Sequence, residues 1–487
     1  MKNFFKQLTM GATVGLVAAI LVAFNFVVSF FPLRIDLTAD KAFTLTNLTK
    51  KTVTGLKDVI TVKAFISEAL PARFLPTKQD VIDVLKEYET LGKGKIGVSL
   101  IDPKDTEKKR EAMVLGVPEL RFSDVEADKF QVSTGFLGLA IVSGEKSEAI
   151  PVIENTTNLE YDLTTAIRKV VAEKEIKIGF VTGHGEKTAE ETASIRKLLT
   201  KQYTVSEVSL ESEIDKTIKT LIILGPTKEF PEKETANLAG YLEAGGTAFF
   251  ALEGAQVDNN LQTKPAGHNL FGFLEKYGVK LNRDLVVSSS NEIANFNAGY
   301  TVFMTPYPFW PKIINQGFNK EVGAVAKIDT LVLPWVSSLE ASAGAKAKWL
   351  AKTAPQSWTV TEPFNLEPSG QGLNLKKEEA RQVLIALLRE EIGKDNGRMV
   401  VVGDADFTQE GIVGRGGGNA VFFQNLVDLL ASDPELSQIR SRGASFRPIK
   451  EVSETEKEAI KWLNILGMPA ALGVLGGLRI WKRSRKS

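Results

Sequence analysis

Two short motifs in this sequence combine acid–base side chains with glycine. Gly183–Glu186 (GHGE) and Gly403–Asp406 (GDAD) each follow an apolar run directly. A histidine and carboxylates that converge could act as metal ligands or as a general acid and base. The candidate residues for a ligand-binding or structural loop are therefore Gly183, His184, Gly185, Glu186, Asp404 and Asp406.

A structural interpretation of the same motifs is the one we favour. Gly183 and Gly185 permit a tight turn from a strand into a helix. Asp404 can accept backbone N–H hydrogen bonds within its own turn, and Glu186 is favourable near a helix N-terminus. We therefore assign no residue as catalytic, cofactor-binding or metal-binding.

The composition excludes several kinds of chemistry. The 487 residues include no cysteine, so disulfides, thiolate zinc sites and cysteine nucleophiles are ruled out. There are two histidines, and neither G-x-S-x-G nor GxxxxGK[ST] occurs. With a net charge of +1 the surface has no basic excess for nucleic acid. We predict that the chain is not an enzyme and uses no cofactor.

The two motifs lie at the ends of apolar strands that alternate with helices, a pattern typical of a parallel sheet covered on both faces. The predicted strands are Ile176–Thr182, Thr204–Leu210, Thr220–Leu224, Thr247–Leu252 and Arg398–Val402. The predicted helices begin at a Thr188/Glu191 capping box and cover Glu232–Ala244 and Asn419–Leu430. We assign residues 176–440 to this doubly wound α/β domain.

The pattern of this domain breaks at two places. Short strands and Pro/aromatic runs over 291–375 predict an insertion. Within it, Tyr307, Phe309 and Trp310 indicate either a packed loop or a glycan- or peptide-binding groove, and we favour the packed loop. Residues Lys376–Ile392 are predicted to form a long charged helix.

A smaller α/β domain is predicted over residues 34–155. A strand at Val59–Ser67, a helix at Thr77–Leu91 with Thr77 as N-cap, and a strand at Ile96–Asp102 form a β-α-β unit. Lys129–Val142 and Glu148–Ile153 follow as a hairpin. A redox unit of thioredoxin shape would need cysteines, so a fold of this kind would bind or support rather than catalyse. A connecting helix is expected over 156–175.

Apolar segments lie near both ends of the chain. Met10–Phe31 is long enough to cross a bilayer, and we favour a retained anchor over a cleaved signal peptide. Trp462–Trp481 lacks a polar face, which favours a span over a surface helix. Basic residues flank both segments, so both termini are expected to be cytoplasmic. The predicted boundaries are 1–33 for the first anchor, 441–459 for a linker, and 460–487 for the second anchor with its basic tail.

Small residues mark one side of each predicted span. Gly11 and Gly15 lie four residues apart, as do Gly473 and Gly477, which allows close approach of another helix. Asn25 adds a polar group that prefers a protein neighbour to lipid. These residues are the predicted contact surface for a permease.

Several motifs, in one order along the chain, resemble those of the GldG family. They are Asp36-Leu37-Thr38, Phe43-Thr44-Leu45, Ile60–Pro71, Asn158–Ile167, Gly179–Glu186 and Val400–Phe407. GldG proteins are auxiliary components of ABC-2-type transport systems, named for gliding motility. The resemblance implies that the second domain is similar to class I glutamine amidotransferases, without their catalytic cysteine. It also implies similarity to the corresponding domain of an intraflagellar-transport protein. It also implies an ABC-2-type permease and its cytoplasmic ATPase as partners.

The sequence thus predicts two extracytoplasmic α/β domains held between two transmembrane helices in a bacterial plasma membrane. The expected function is that of a non-catalytic auxiliary subunit that binds, or transmits motion to, an extracytoplasmic protein or glycan cargo. The alternative is an anchored hydrolase or ligand-binding protein that uses the GHGE and GDAD loops.

Overall fold

The computed structural model describes residues 44–432, with gaps at 127–128, 157, 173–174, 259, 299–300, 369–372 and 374. Ile20 and isolated positions between 457 and 476 are also described. The predicted anchors and the linker over 441–459 therefore lie largely outside the described residues. Within the described part of the chain, no helix combines the length and the apolar character needed to span a membrane.

The first domain is built on a four-stranded mixed sheet. Its elements are α1 (Asn47–Thr54), β1 (Ile60–Ile66), α2 (Leu75–Gly92), β2 (Ile96–Ile101), α3 (Thr106–Val114), β3 (Leu120–Glu126), β4 (Lys129–Gly135), β5 (Leu137–Ser143), β6 (Lys146–Ile150) and α4 (Leu159–Val171). The sheet has the strand order β2-β1-β5-β6. Strands β1 and β2 are parallel, whereas β5 is antiparallel to both β1 and β6. This element order confirms the predicted β-α-β unit.

Helix α4, the predicted connecting helix, belongs to the core of the first domain. Its apolar residues Leu159, Leu163, Ile167 and Val170 pack in the same buried cluster as the central strands. Its other side reaches the second domain, where the Tyr161 hydroxyl donates to Gln202 Oε1 at 2.5 Å. The helix therefore joins the two domains by packing on one and bonding to the other.

The second domain contains a seven-stranded sheet. The elements that form this sheet and its cover are β7 (Lys177–Val181), α5 (Ala193–Thr200), β8 (Thr204–Val208), β9 (Ile218–Leu224), α6 (Glu232–Glu243), β10 (Thr247–Ala251), α7 (Leu270–Lys276), β19 (Ala347–Lys352), β21 (Leu384–Ile392), β22 (Gly397–Val402), α8 (Glu410–Val413) and α9 (Asn419–Ala431). The strand order is β19-β21-β22-β10-β9-β7-β8. The five strands from β22 to β8 are parallel, and β21 and β19 extend the sheet in antiparallel fashion.

Both faces of this sheet are buried, which confirms the doubly wound arrangement predicted from the sequence. Along β10, Phe249 and Ala251 pack in one apolar cluster with α5 and α9, while Ala248 and Phe250 pack in a second cluster with α6 and α7. Successive side chains of a strand point to opposite faces, so a strand covered on both sides must be apolar throughout. This requirement explains the uninterrupted apolar runs.

Smaller sheets lie beside the seven-stranded sheet. They are formed by β11 (Ala255–Val257), β12 (Thr263–Pro265), β13 (Val279–Leu281), β14 (Leu285–Ser288), β15 (Asn291–Ala298), β16 (Thr301–Ile314), β17 (Thr330–Val332), β18 (Leu339–Ala341) and β20 (Ser357–Val360). Tyr307, Phe309 and Trp310 are buried on β16, and the Trp310 ring meets Trp335 edge-on at 5.5 Å. The segment therefore packs, as favoured, but as a strand rather than a loop.

Three sequence-based element predictions were wrong. Residues Lys376–Ile392 form no long helix, because Leu384–Ile392 is strand β21, buried between β22 and β19. Burial of its apolar run overrides the helical preference of the charged residues around it. Strand β19, inside the predicted 291–375 insertion, belongs to the main sheet. Residues 129–135 pair with β3, so the predicted hairpin is confined to β5 and β6.

Two helices begin at positions other than those predicted. Thr188 and Glu191 exchange the predicted capping-box hydrogen bonds at 2.7 and 3.2 Å, but helix α5 begins at Ala193. Helix α2 begins at Leu75, so Thr77 is not its N-cap. The capping-box bonds were predicted correctly, and the turn that they close precedes the helix.

Candidate functional site

The loops that carry GHGE and GDAD lie at the carboxyl edge of the parallel strands. Counted along the chain, the five parallel strands have the order 2-1-3-4-5 when read from β8 to β22. The order reverses between β7 and β9, and ligands of open α/β sheets bind at such a point, outside the strand ends. GHGE follows β7 at this switch point, and GDAD follows β22, at the far end of the parallel strands.

His184 lies between two carboxylates. Its Nδ1 is 3.1 Å from Glu186 Oε1, and its Nε2 is 2.9 Å from Glu234 Oε2 on helix α6. The first contact is a hydrogen bond; the second is a close charge contact, since Glu234 Oε2 accepts no aligned hydrogen bond within the described residues. Both ring nitrogens can donate together only in the protonated imidazole. His184 and Glu234 are buried.

The loop around His184 is fixed by contacts with the neighbouring loop. The ring stacks on Phe230 with centroids 3.8 Å apart. The His184 carbonyl accepts from the N–H groups of Thr227 and Lys228 at 2.8 and 2.9 Å. Gly185 has a φ of +74°, which favours glycine. His184 therefore ties the loops after β7 and β9 to helix α6.

The GDAD motif contributes to a separate cluster of charged side chains, formed by Glu253, Asp404, Asp406 and Lys187. One carboxylate oxygen from each acid lies within 4.8 Å of the others. Lys187 Nζ donates to Asp406 Oδ1 at 2.6 Å and lies 3.6 Å from Glu253 Oε1. Asp404 Oδ1 accepts from the Asp406 N–H at 2.7 Å, which confirms the predicted turn.

Burial controls the electrostatics of this cluster. Burial, with repulsion from Asp406 and Glu253, raises the pKa of Asp404 well above its usual value. Burial also raises the pKa of Glu253, although Lys187 opposes the shift. For Lys187, burial disfavours the charge, but Glu253 and Asp406 outweigh it and raise the pKa of the ammonium.

The structure thus brings together the members of each motif but not the two motifs. Asp404 and Asp406 share a cluster, while His184 and Glu186 belong to no such group among the described residues. The only triad of potential metal ligands in the described part of the chain is Glu253, Asp404 and Asp406. His184 instead is packed between the carboxylates of Glu186 and Glu234.

The sequence-based prediction of candidate site residues did not include four residues in or beside these clusters: Glu234, Glu253, Lys187 and His268. Glu253 follows β10 as Asp404 follows β22, so the rule that selects polar residues at strand ends could have found it. Lys187 directly follows GHGE and could have been included with it. Glu234 sits on a helix and carries no comparable signal.

His268 is buried beside the cluster. Leu270 N–H donates to its Nδ1 at 3.3 Å, so Nε2 carries the proton and contacts the Glu253 carbonyl at 3.1 Å. Burial lowers the pKa of His268 to about 4. The neutral ring thereby fixes the backbone that presents Glu253.

Fold and site together define an α/β protein whose strand-end loops are held by internal charge pairs. Residues 175–432 match the family model described as ABC-type uncharacterized transport system, and this match covers just over half of the chain. The protein therefore belongs to the ABC-type transport system auxiliary family. Residues 39–142 match a second model, a domain of unknown function, which corresponds to the first domain.

Similar proteins extend over the whole chain or over one domain. An uncharacterized protein from Borreliella burgdorferi is 24% identical over 517 residues and covers 100% of both chains. The mmIFT52 N-terminal domain covers 53% of this chain and 98% of its own, with 19% identity and a TM-score of 0.39. A GMP synthase protein from Thermoplasma acidophilum covers 53% of this chain and 96% of its own, with 11% identity and a TM-score of 0.28. Both TM-scores are below 0.5, and the amidotransferase likeness stays a prediction.

Proposed function

We propose that this protein is a non-catalytic auxiliary subunit of an ABC-2-type transporter of the GldG, gliding-motility kind. The observation that carries the proposal is the family match over residues 175–432. In this proposal the two α/β domains lie outside a bacterial plasma membrane. They receive, hold or transmit movement to a protein or glycan cargo, while the permease and its ATPase perform transport.

The geometry of the strand-end loops supports a non-catalytic role. His184 is packed against Phe230 and engaged by a carboxylate at each ring nitrogen. A general base needs a ring nitrogen within reach of a substrate proton. Both nitrogens of His184 already face protein carboxylates, so the hydrolase alternative is the less supported one.

The proposed link to the permease is helix packing by the two anchors. Glycines four residues apart present a flat helix face to a partner, at Gly11/Gly15 and at Gly473/Gly477, and Asn25 offers a hydrogen bond. Association in lipid depends on such close packing, because lipid tails are as apolar as leucine. Bulky side chains on this face should therefore separate the complex.

The double substitution Gly11→Leu with Gly15→Leu tests this link. We expect it to abolish co-purification of a multi-span permease while the chain is still made and inserted. The matched control is Thr13→Leu with Val17→Leu, which adds bulk to the opposite face of the same helix and should leave recovery unchanged. Equal permease recovery from both variants would contradict the proposed packing surface.

A further inference from the structure

The cluster of Glu253, Asp404, Asp406 and Lys187 carries an unbalanced buried charge. When all four groups are ionised, three carboxylates and one ammonium sum to a net charge of −2. Asp404 is fully buried, and Glu253 is 8% exposed. An uncompensated buried charge costs several kcal/mol, so positive charge from another source would stabilise the ionised cluster.

Two carboxylate oxygens of this cluster have no hydrogen-bond partner within the described residues. Asp404 Oδ2 and Glu253 Oε1 are inaccessible to solvent and have no hydrogen-bond partner within the described part of the chain. The Lys187 ammonium lies 3.6 Å from Glu253 Oε1, beyond hydrogen-bond distance. A buried carboxylate oxygen without a partner loses its hydration without replacement, and a coordinated cation would supply that replacement.

The spacing of the carboxylate oxygens suits a hard divalent cation. The three ligand atoms lie within 4.8 Å of one another. Opposite ligands are separated by about 4.1 Å around Mg²⁺ and by about 4.8 Å around Ca²⁺, given their usual metal–oxygen distances. Carboxylate oxygens are the ligands that both ions prefer. A divalent ion would also bring the formal charge of the cluster to zero.

We propose that Glu253, Asp404 and Asp406 form a divalent-cation site, with Ca²⁺ or Mg²⁺ as the ligand and Lys187 as an internal competitor. Lys187 occupies one side of the cluster through its bond to Asp406 Oδ1. Its ammonium repels the cation and weakens binding. Its side chain is 18% exposed, which gives it a path to turn outward. This site is independent of the proposed transporter role.

Calorimetric titration of the purified, chelator-treated full chain with CaCl₂ and with MgCl₂ tests the proposal. We expect one ion per chain, with a dissociation constant of about 1 mM or below, in the range of low-affinity calcium modules. Lys187→Gln should tighten binding roughly tenfold or more, because it removes the repelling charge. Asp404→Asn should abolish binding, and the matched control Asp395→Asn, at an exposed position, should not change it.

Two results would overturn the site. Absence of saturable binding in both the wild-type chain and Lys187→Gln would mean that protons, rather than a cation, balance the buried charge. Unchanged affinity in Asp404→Asn would place the bound ion elsewhere. If Asp404→Asn fails to fold, Glu253→Gln provides the same comparison, with loss of binding expected. The titration requires no transporter, so its outcome is separate from that of the proposed function.

Discussion

Removal of the His184 side chain should destabilise the second domain strongly. In His184→Ala, the Glu186 and Glu234 carboxylates, whose side chains are 4% and 10% exposed, lose the imidazole that lies between them. Leaving a buried carboxylate oxygen without its partner costs about 1–3 kcal/mol. Loss of the stacked Phe230 contact adds about 1 kcal/mol. For a domain of this size, the resulting loss of about 2–4 kcal/mol lowers the melting temperature by about 4–16 °C.

The assay is thermal unfolding of the purified full-length chain, followed by tryptophan fluorescence. A second substitution, Glu234→Gln in the His184→Ala background, removes one unpaired carboxylate and should recover part of the loss. Glu232→Gln, at an exposed position on the same helix, is the matched control and should recover none. A double-mutant cycle between His184 and Glu234 then isolates their coupling.

A folded His184→Ala variant that melts within about 1 °C of the wild-type chain would refute this reasoning. It would mean that the two carboxylates find solvent or other partners without cost. Equal recovery from Glu232→Gln and Glu234→Gln would refute it as well, because the effect would then not depend on the contact at His184 Nε2.

Two further predictions concern buried groups of the second domain. Burial raises the pKa of Asp428 to about 7, so its contribution to the unfolding free energy is full below about pH 4 and is lost as pH rises through about 7. Asp428→Asn keeps an acceptor for the Tyr203 hydroxyl, which donates to Asp428 at 2.6 Å. It should remove this pH dependence of the unfolding free energy, at most about 4 kcal/mol, in denaturant titrations between pH 4 and 8. An unchanged pH dependence would assign the effect to other groups. A Cβ on Gly403 would lie 2.0 Å from the Ser337 carbonyl oxygen, so Gly403→Ala should cost about 2 kcal/mol or more. Gly411→Ala, whose Cβ meets nothing within 4 Å among the described residues, should not destabilise the protein, and equal melting temperatures would contradict the clash.

The parallel sheet was predictable because each of its strands can be recognised from its own residues and those that directly follow it. Strands such as Thr247–Ala251 are apolar throughout, and polar residues follow them closely. The rule that polar residues directly after a parallel strand are candidate site residues located Asp404 correctly. Glu253 follows β10 in a similar way, but it is the only acid–base residue at that strand end, whereas GHGE and GDAD each contain two within four positions.

Other features depend on distant partners and leave no local pattern. Strand β21 is flanked by charged residues, and its strand conformation follows from burial between β22 and β19. Glu234 meets His184 only because the first turn of helix α6 lies beside the loop after β7. Likewise, the Lys187 contact with Asp406 joins residues 219 positions apart. Tertiary packing, rather than sequence period, determines all three.

The central claim, an auxiliary role in an ABC-2-type transporter, is tested most directly by affinity purification of the tagged full-length chain from native membranes in mild detergent. Mass spectrometry identifies the proteins that remain bound. We predict recovery of a multi-span permease and a Walker-type ATPase, both absent from the Gly11→Leu/Gly15→Leu preparation. Recovery of the folded chain with neither protein would contradict the claim.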